Sequence, residues 1–144
     1  MIRPYTDHDA DAVVSIWRAA SERAHPFLSV PFLDAEAENV RNVYPRFAEI
    51  WVLEDKAAPI GFIALIDAEV GAIFLQPEHH GQGHGRAMMD FAVSKKGAVT
   101  LDVFKANAIG RAFYDRYGFR QVGEYVHEAT GQETLQMAFM PQAG

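Results

Sequence analysis

Residues 74–86 read Phe74-Leu75-Gln76-Pro77-Glu78-His79-His80-Gly81-Gln82-Gly83-His84-Gly85-Arg86. The apolar residues 70–75 favour a strand before the glycines, and the pattern of residues 83–94 predicts an amphipathic helix after them. Glycine allows a positive φ and lets a ligand approach the backbone closely. The first turn of a helix also carries unpaired N–H groups and the positive end of the helix dipole. This junction is therefore a candidate anion site, where Arg86 could add a charge-assisted contact.

Three interpretations of the glycine loop compete. It could be a turn without a ligand. A nucleotide-triphosphate loop would end in Gly-Lys-Ser/Thr, whereas Gly85-Arg86-Ala87 has neither the lysine nor the hydroxyl. A dinucleotide-binding loop needs a different glycine spacing and an early strand-helix-strand unit, but this loop follows an apparent antiparallel meander. The two nucleotide-loop interpretations are therefore disfavoured.

The rest of the chain predicts an α/β fold with a mixed sheet. Thr6 and Asp9 have the spacing of a helix N-cap pair, and Pro26 should end that helix near Ala24. An apolar connector, residues 25–32, follows. The remaining predicted elements are a strand at 2–5, helices at 34–43 and 107–117, and strands at 50–53, 60–66, 70–75, 99–103, 119–127 and 134–139, with a hairpin turn within 54–59. We expect about seven strands flanked by about four helices, in one domain spanning residues 1–144.

Composition narrows the function. The chain has 144 residues, of which 49% are hydrophobic and 22% charged, which is typical of a single globular domain. A formal charge of -6 argues against general attraction to nucleic acid or to an anionic membrane. The absence of cysteine excludes disulfides, thiolate metal sites and a cysteine nucleophile. Without a membrane-length apolar run or a secretion signal, a cytoplasmic location is the default expectation.

Two motifs resemble those of the GNAT superfamily of acyl-CoA-dependent N-acyltransferases. His80-x-x-Gly83-x-Gly85 resembles the family's Gln/Arg-x-x-Gly-x-Gly/Ala phosphate loop, with His80 as the departure. Residues 107–119 resemble its Asn-x-x-Ala-x-x-Phe-Tyr-x-x-x-Gly-Phe signature, with Gly110 in place of the alanine. The predicted order of elements agrees with the family over nearly the whole chain, and the His25-Pro26-Phe27-Leu28 connector looks like that of small bacterial members.

The resemblance implies a GNAT-like fold and an acetyl-CoA-dependent N-acetyltransferase that acts on a primary amine of a small molecule, peptide or protein. Acetyl would pass by direct attack in a ternary complex, without an acyl-enzyme. The backbone of Ile73, Phe74 and Leu75 would pair with the pantetheine arm and polarise the thioester carbonyl. Asn107 would hydrogen-bond that arm, and Tyr114 would be the general acid. The pyrophosphate would be held by the amides of Gly81, Gln82, Gly83, His84, Gly85 and Arg86.

Spacing places Asn107 and Tyr114 on one side of their helix, because seven residues make nearly two turns. We expect Ile109, Ala112 and Phe113 to form the core face of that helix, leaving Tyr114 off the apolar stripe. Asp102, at the end of the preceding strand, is a possible base; alternatively it only orients the next loop. A carboxylate in that role needs a raised pKa or a chain of waters.

Candidates for the acceptor pocket are His25, Phe27 and Tyr125; core packing is the alternative for the first two. The glycine loop also contains three histidines, His79, His80 and His84, whose imidazoles are possible metal ligands. They lack partners at ligand spacing, so we expect solvent-exposed loop histidines and no metal cofactor.

Two functional hypotheses follow, an N-acetyltransferase and a non-catalytic acetyl-CoA sensor that regulates a partner. Both need the glycine loop, but only the enzyme needs Tyr114 near sulfur and an open acceptor cleft. The intact tyrosine favours the enzyme. The sequence leaves open which amine is acetylated and whether the protein is an oligomer.

Overall fold

A computed structural model describes residues 1–141. That part of the chain contains seven strands and five α-helices: β1 (Ile2–Pro4), α1 (Ala10–Ala24), α2 (Val30–Asn42), α3 (Tyr44–Phe47), β2 (Glu49–Asp55), β3 (Ala58–Ile66), β4 (Glu69–Leu75), α4 (His84–Lys96), β5 (Val99–Phe104), α5 (Ala108–Tyr117), β6 (Arg120–Val126) and β7 (Glu133–Phe139). Short 3-10 turns cover Asp7–Asp9 and Pro77–His79. The predicted α/β fold class is confirmed.

The strands form one mixed sheet in the order β1-β2-β3-β4-β5-β7-β6. Strands β1 to β4 are antiparallel neighbours, and β5, β7 and β6 form a second antiparallel group. The two groups meet where β4 and β5 run parallel, and their paired residues are Glu69 and Thr100 alone. Beyond that pair the two strands diverge, and the sheet opens into a wedge.

A bulge shapes the wall of the wedge. Ala72 pairs with Ala64 and Val70 pairs with Leu65, so Gly71 has no opposite residue on β3. A bulge bends its strand and changes which face the following side chains occupy. Val70 accordingly belongs to one core cluster and Ala72 to the other.

Two apolar clusters lie on opposite faces of the sheet. One joins the sheet to α4 and α5, and it includes Met88, Met89 and Ala92, the buried stripe of α4. The other joins it to α1 and α2 through residues such as Ile16, Leu33 and Phe62. Burial of apolar area on both faces stabilises the sheet by about 25 cal/mol per Å². The helices therefore sit at fixed positions around the wedge.

Three local features differ from the sequence-based predictions. Helix α2 begins four residues early, at Val30, because the Ser29 hydroxyl accepts a hydrogen bond from the Phe32 amide and caps it. Proline is tolerated in that first turn, where no N–H is needed. Helix α3 was not predicted, since four residues give no periodic pattern. The turn between β2 and β3 is only Lys56 and Ala57, both with positive φ.

The start of α1 is fixed by Asp9, whose carboxylate is buried. It accepts hydrogen bonds from both terminal nitrogens of Arg3, each at 2.8 Å, and from the Thr6 amide, also at 2.8 Å. The Arg3 hydrogen bonds, with those from Thr6, lower the pKa of Asp9 to about 2. Arg3 also binds Glu54 of β2. This clamp joins β1, β2 and the first turn of α1.

Among residues 1–141, no helix has both the length and the apolar character needed to cross a bilayer.

Replacing Asp9 with alanine should lower the free energy of unfolding at pH 7 by about 1.5–3 kcal/mol, because it removes two charge-assisted hydrogen bonds from Arg3 and leaves that guanidinium with Glu54 as its ionic partner. Urea titrations of both proteins measure the difference. The depressed pKa means that the wild-type protein loses this stabilisation as the pH falls from about 4 toward 2. The matched control is Asp11→Ala, which breaks an exposed pair with Arg41 and should cost less than about 1 kcal/mol. Equal losses in both variants would contradict the clamp.

Candidate active site

A cavity of about 940 Å³ occupies the wedge between β4 and β5. Its walls come from the carboxyl end of β4, the glycine loop, the start of α5 and the end of α1. Most of the sequence-predicted site residues line it: His25, Ile73, Phe74, Leu75, Gly81, Gly83, His84, Gly85, Arg86, Asp102, Asn107, Tyr114 and Tyr125. Gln82 and Phe27 are not among its lining residues.

The β4 wall presents backbone groups to this cavity. On one side β4 pairs with β3 along its length, while on the other its pairing with β5 is confined to Glu69. The peptide groups on the open edge near Ile73, Phe74 and Leu75 therefore have no strand to bind. An extended ligand could pair with this edge as an added strand does.

The glycine loop presents a run of free amides at the second wall. Within residues 1–141, the N–H groups of residues 81–86 donate to no protein acceptor, and the first paired amide is that of Ala87, bonded to the Gly83 carbonyl at 3.0 Å. Gly81 and Gly83 have φ values of 79° and 86°, a conformation that glycine adopts without strain. A Cβ at either position would meet nothing within 4 Å, so the space over the loop is open. These features fit a diphosphate.

His80, which departs from the family's loop motif, contacts the end of β4. Its Nε2 lies 3.3 Å from the carbonyl oxygen of Leu75. The imidazole thus links the loop to the end of β4. Arg86 lies in the first turn of α4 with its guanidinium over the Tyr117 ring, 5.2 Å from the centroid.

Tyr114 lies on the core face of α5, contrary to the sequence-based prediction. It is 9% exposed and belongs to the apolar cluster, whereas Ile109 is 44% exposed. Ala112 is exposed and Phe113 half-buried, so the face assigned to the core was wrong. Spacing gives the period of a helix but not its rotation about its own axis, and here the sheet selects the Tyr114 side.

The burial of Tyr114 has a chemical consequence. Burial raises the pKa of its phenol well above the usual value, so the group stays protonated at neutral pH. In the described part of the chain the Tyr114 hydroxyl makes no hydrogen bond, and no buried side-chain oxygen there lacks a partner, so this hydroxyl is accessible from the cavity that the residue lines. It is therefore a protonated donor facing the wedge.

Asn107 caps α5 at the other end of the same wall. Its Oδ1 accepts a hydrogen bond from the Gly110 amide at 2.9 Å, and the residue is buried. Its Nδ2 lies 3.2 Å from Nε2 of His25, at the end of α1. Because Oδ1 is engaged by the helix, the amide nitrogen is the atom turned toward His25, and it donates.

His25 is held among aromatic rings. The ring centroids of Phe27 and Phe104 lie 5.6 and 5.1 Å away, each in an edge-to-face arrangement. This desolvation lowers the pKa of His25 to about 4, so the imidazole is neutral at physiological pH. Phe27 lies behind His25 and lines a smaller adjoining cavity of about 190 Å³ instead of the main one.

Asp102 and Tyr125 form a pair at the opposite end of the wedge. The Tyr125 hydroxyl donates to Asp102 at 2.8 Å. Burial, this hydrogen bond and the negative charges of Asp102 and Glu69 raise the pKa of Tyr125 to about 12. Asp102 is exposed and lies opposite Gln136 of β7. The Asp102 side chain is thus accessible from the cavity and already oriented.

Glu69 and Glu36 also line the cavity with their carboxylates, and neither was predicted. Glu69 begins β4 at the point where the sheet splits, which no local pattern reveals. Glu36 accepts hydrogen bonds from Asn39 at 2.9 Å and from Tyr44 at 3.2 Å. Its position depends on α3, which sequence periodicity does not detect. Arg23 also lines the cavity, as do Arg86 and Arg116.

The histidines of the glycine loop do not form a metal site in the described residues. The rings of His79 and His84 lie 6.0 Å apart in an edge arrangement. Within residues 1–141, no three His, Asp or Glu side chains are placed to hold one ion.

The split between β4 and β5 and the unpaired amides of the glycine loop agree with the GNAT-like fold that the sequence motifs imply. The model of the acetyltransferase (GNAT) domain family matches residues 46–121. The chain belongs to this family and is an acetyl-CoA-dependent N-acetyltransferase. Of the two hypotheses drawn from the sequence, the enzyme is the one confirmed.

Similar proteins are known. Peptidyl-lysine N-acetyltransferase YjaB of Salmonella typhimurium is 29% identical over 123 residues, covering 85% of this chain and 84% of the relative. Peptidyl-lysine N-acetyltransferase YiaC of Escherichia coli is 26% identical, with 85% and 84% covered. The solution structure of apo YjaB from Escherichia coli has a TM-score of 0.87 at 27% identity, covering 96% and 95% of the two chains.

The same fold occurs in a structure solved with coenzyme A. The PaiA N-acetyltransferase of Thermoplasma acidophilum, in complex with coenzyme A, has a TM-score of 0.79 at 17% identity, covering 98% of each chain.

The low pKa of His25 makes stability depend on pH. The unfolded chain binds a proton at His25 near pH 6.5 and the folded chain only near pH 4, so the free energy of unfolding should fall as the pH drops through this range. The contribution is about 2–3 kcal/mol. Urea titrations from pH 7 to 4 on the wild type and His25→Gln measure it. The variant should show a flatter profile, and parallel profiles would contradict a buried neutral imidazole.

Proposed function

We propose that this enzyme transfers the acetyl group of acetyl-CoA to the side-chain amine of a lysine in a peptide or protein, by direct attack within a ternary complex. The observation that carries this proposal is the continuity of the cavity, which joins the free amides, the Tyr114 phenol and the acceptor-side carboxylates. Two relatives are named peptidyl-lysine N-acetyltransferases, which supports lysine as the acceptor. Because acetyl-CoA is an intracellular metabolite, the reaction would take place in the cytoplasm.

The donor would be held mainly by backbone groups. The open edge of β4 at Ile73, Phe74 and Leu75 would pair with the pantetheine arm, and an N–H of this edge would polarise the thioester carbonyl. The unpaired amides of residues 81–86 would hold the diphosphate, with Gln82 contributing only its N–H. Arg86 adds a positive charge at the same helix end.

Transfer forms one bond and breaks another. The acceptor nitrogen, as a neutral amine, bonds to the thioester carbon and loses a proton, while the C–S bond breaks and sulfur gains a proton. Tyr114 would give that proton, since burial keeps its phenol protonated and the residue lines the cavity. Before attack, Asp102 would take the proton of the ammonium form through water, because Tyr125 already orients its carboxylate. The proton that nitrogen loses as the C–N bond forms would pass through solvent and restore the Tyr114 phenol.

The acceptor end suits a cation. Glu36, Glu69 and Asp102 all line it, and Tyr44 and Tyr125 hold two of these carboxylates in place. An alkylammonium entering this end would be attracted to the carboxylates in a partly desolvated setting. His25 and Tyr125 would border the path of its aliphatic chain, with Phe27 supporting His25 from behind.

Replacing Tyr114 with phenylalanine should lower kcat about 100-fold or more, because a general acid contributes on the order of 10² to 10⁴. The ring and its packing remain, so the CoA affinity measured by calorimetry should change by less than about threefold. The matched control is Tyr117→Phe, one turn further along α5, which removes only a hydrogen bond to Asp90 and should retain most of kcat. Equal activity of Tyr114→Phe and wild type would remove this phenol from the mechanism.

Neutralising the acceptor-side carboxylates should weaken acceptor binding. We expect Glu69→Gln to raise the KM for a lysine peptide about three- to tenfold with little change in the KM for acetyl-CoA, because one charge contact is worth about 1 kcal/mol. Asp102→Asn should raise the same KM and also lower kcat, since it removes the proton acceptor. Steady-state kinetics with both substrates varied separates the two effects.

An exposed carboxylate away from the cavity provides the control for this pair. Asp115→Ala, on the outer side of α5, should change neither KM. If Glu69→Gln acts only on the KM for acetyl-CoA, the assignment of this end to the acceptor is wrong.

A further inference from the structure

Three residues from two distant parts of the chain form one unit at the start of α5. His25 ends α1, Asn107 caps α5, and Gly110 lies in the first turn of α5. The Asn107 amide bridges the other two: its oxygen accepts from the Gly110 N–H at 2.9 Å, and its nitrogen lies 3.2 Å from Nε2 of His25. His25 and Asn107 are 82 residues apart in the chain, so their contact is a tertiary link between the two halves of the cavity wall.

Gly110 is the position where this chain departs from the alanine of the family signature, and the geometry shows what glycine allows. A Cβ at residue 110 would lie 2.6 Å from Nδ2 of Asn107 and 3.1 Å from its Cγ. Such contacts are too short, so an alanine would force the Asn107 amide to move. Glycine at 110 is thus required by the orientation of Asn107 that reaches His25. It is not required by the backbone of α5, since its φ is not positive.

We propose that His25 is a positioning residue: it fixes the amide of Asn107 over the first turn of α5, and Gly110 provides the space for that orientation. The inference rests on the proposed function for its kinetic consequence, but the contact itself belongs to the free protein. With its oxygen committed to the helix and one hydrogen to His25, Asn107 has one N–H left for the cavity that it lines. Toward acetyl-CoA, Asn107 therefore acts only as a hydrogen-bond donor, and its partner there would be a carbonyl group.

The arrangement specifies the protonation of His25. Since Nδ2 of Asn107 can only donate, Nε2 of His25 must accept, and the ring proton of the neutral imidazole must sit on Nδ1. The aromatic neighbours Phe27 and Phe104 hold the ring in the plane needed for this. The link also ties the connector after α1, which borders the acceptor side, to the helix that carries Tyr114.

The first test is spectroscopic and needs neither substrate. Long-range ¹⁵N–¹H spectra of the wild-type protein at pH 7 should show His25 as the Nδ1–H tautomer, with an unprotonated Nε2. In Asn107→Ala the tautomer should change or become mixed. An Nε2–H tautomer of His25 in the wild-type protein would overturn the proposal.

The second test uses three variants and calorimetry with CoA alone. His25→Leu should weaken CoA binding about five- to tenfold, the effect of one lost hydrogen bond. His25→Gln, whose amide oxygen can accept from Asn107, should recover most of that loss. Gly110→Ala should weaken CoA binding by a similar factor while its thermal unfolding midpoint stays equal or rises, because alanine favours a helix more than glycine does.

A double variant separates positioning from general damage. Gly110→Ala added to His25→Leu should cost little more than either change alone, since both displace the same amide. Asp115→Ala provides a control for raised helix propensity in α5 without an effect on Asn107. Unchanged CoA binding in Gly110→Ala, or equal losses in His25→Leu and His25→Gln, would overturn the proposal. The tautomer spectrum and the calorimetry with CoA do not depend on the acceptor. They test this proposal even if lysine peptides prove not to be acceptors, so its failure can be told apart from failure of the proposed function.

Discussion

The end of pairing between β4 and β5 determines the rest of the site. A parallel pair that continued along both strands would bury its backbone groups in a ladder and fill the space where the cavity lies. Here the pairing stops at Glu69 and Thr100, so every later peptide group on that edge of β4 faces the wedge. Under the proposed function, an extended ligand bound there would supply hydrogen-bond partners to these backbone groups. The two apolar clusters pack against opposite faces of this sheet.

The two ends of the cavity differ in the charge that they attract. A chain with a net charge of -6 does not attract an anionic donor through its overall field. It instead offers a short-range site, the unpaired amides of residues 81–86 at the start of α4, whose strength depends on contact and not on distance. The opposite end of the cavity carries carboxylates, which agree in sign with the whole molecule. Under the proposed function, an anionic donor and a cationic acceptor would be attracted to different ends of one cavity.

Sequence predicted the order of elements and the glycine loop well, because both depend on local patterns. The motif resemblance also singled out Asn107 and Tyr114, and both line the cavity. The sequence did not predict how α5 is rotated: Tyr114 was placed off the core face, whereas the sheet buries it and leaves Ile109 exposed. Glu69 and Glu36 were missed for a related reason, since their place in the cavity comes from where the sheet divides and from a four-residue helix, neither of which leaves a periodic signal.

The two residues that depart from the family motifs share one structural feature. His80, in the place of a longer polar side chain, reaches the Leu75 carbonyl and joins the glycine loop to β4. Gly110, in the place of alanine, lets Asn107 turn toward His25 and joins α5 to α1. Each departure coincides with a link between two walls of the wedge. A cavity formed by a split in the sheet has no strand ladder across it, so side-chain links around its rim must carry the positional constraint that hydrogen-bonded strands supply elsewhere.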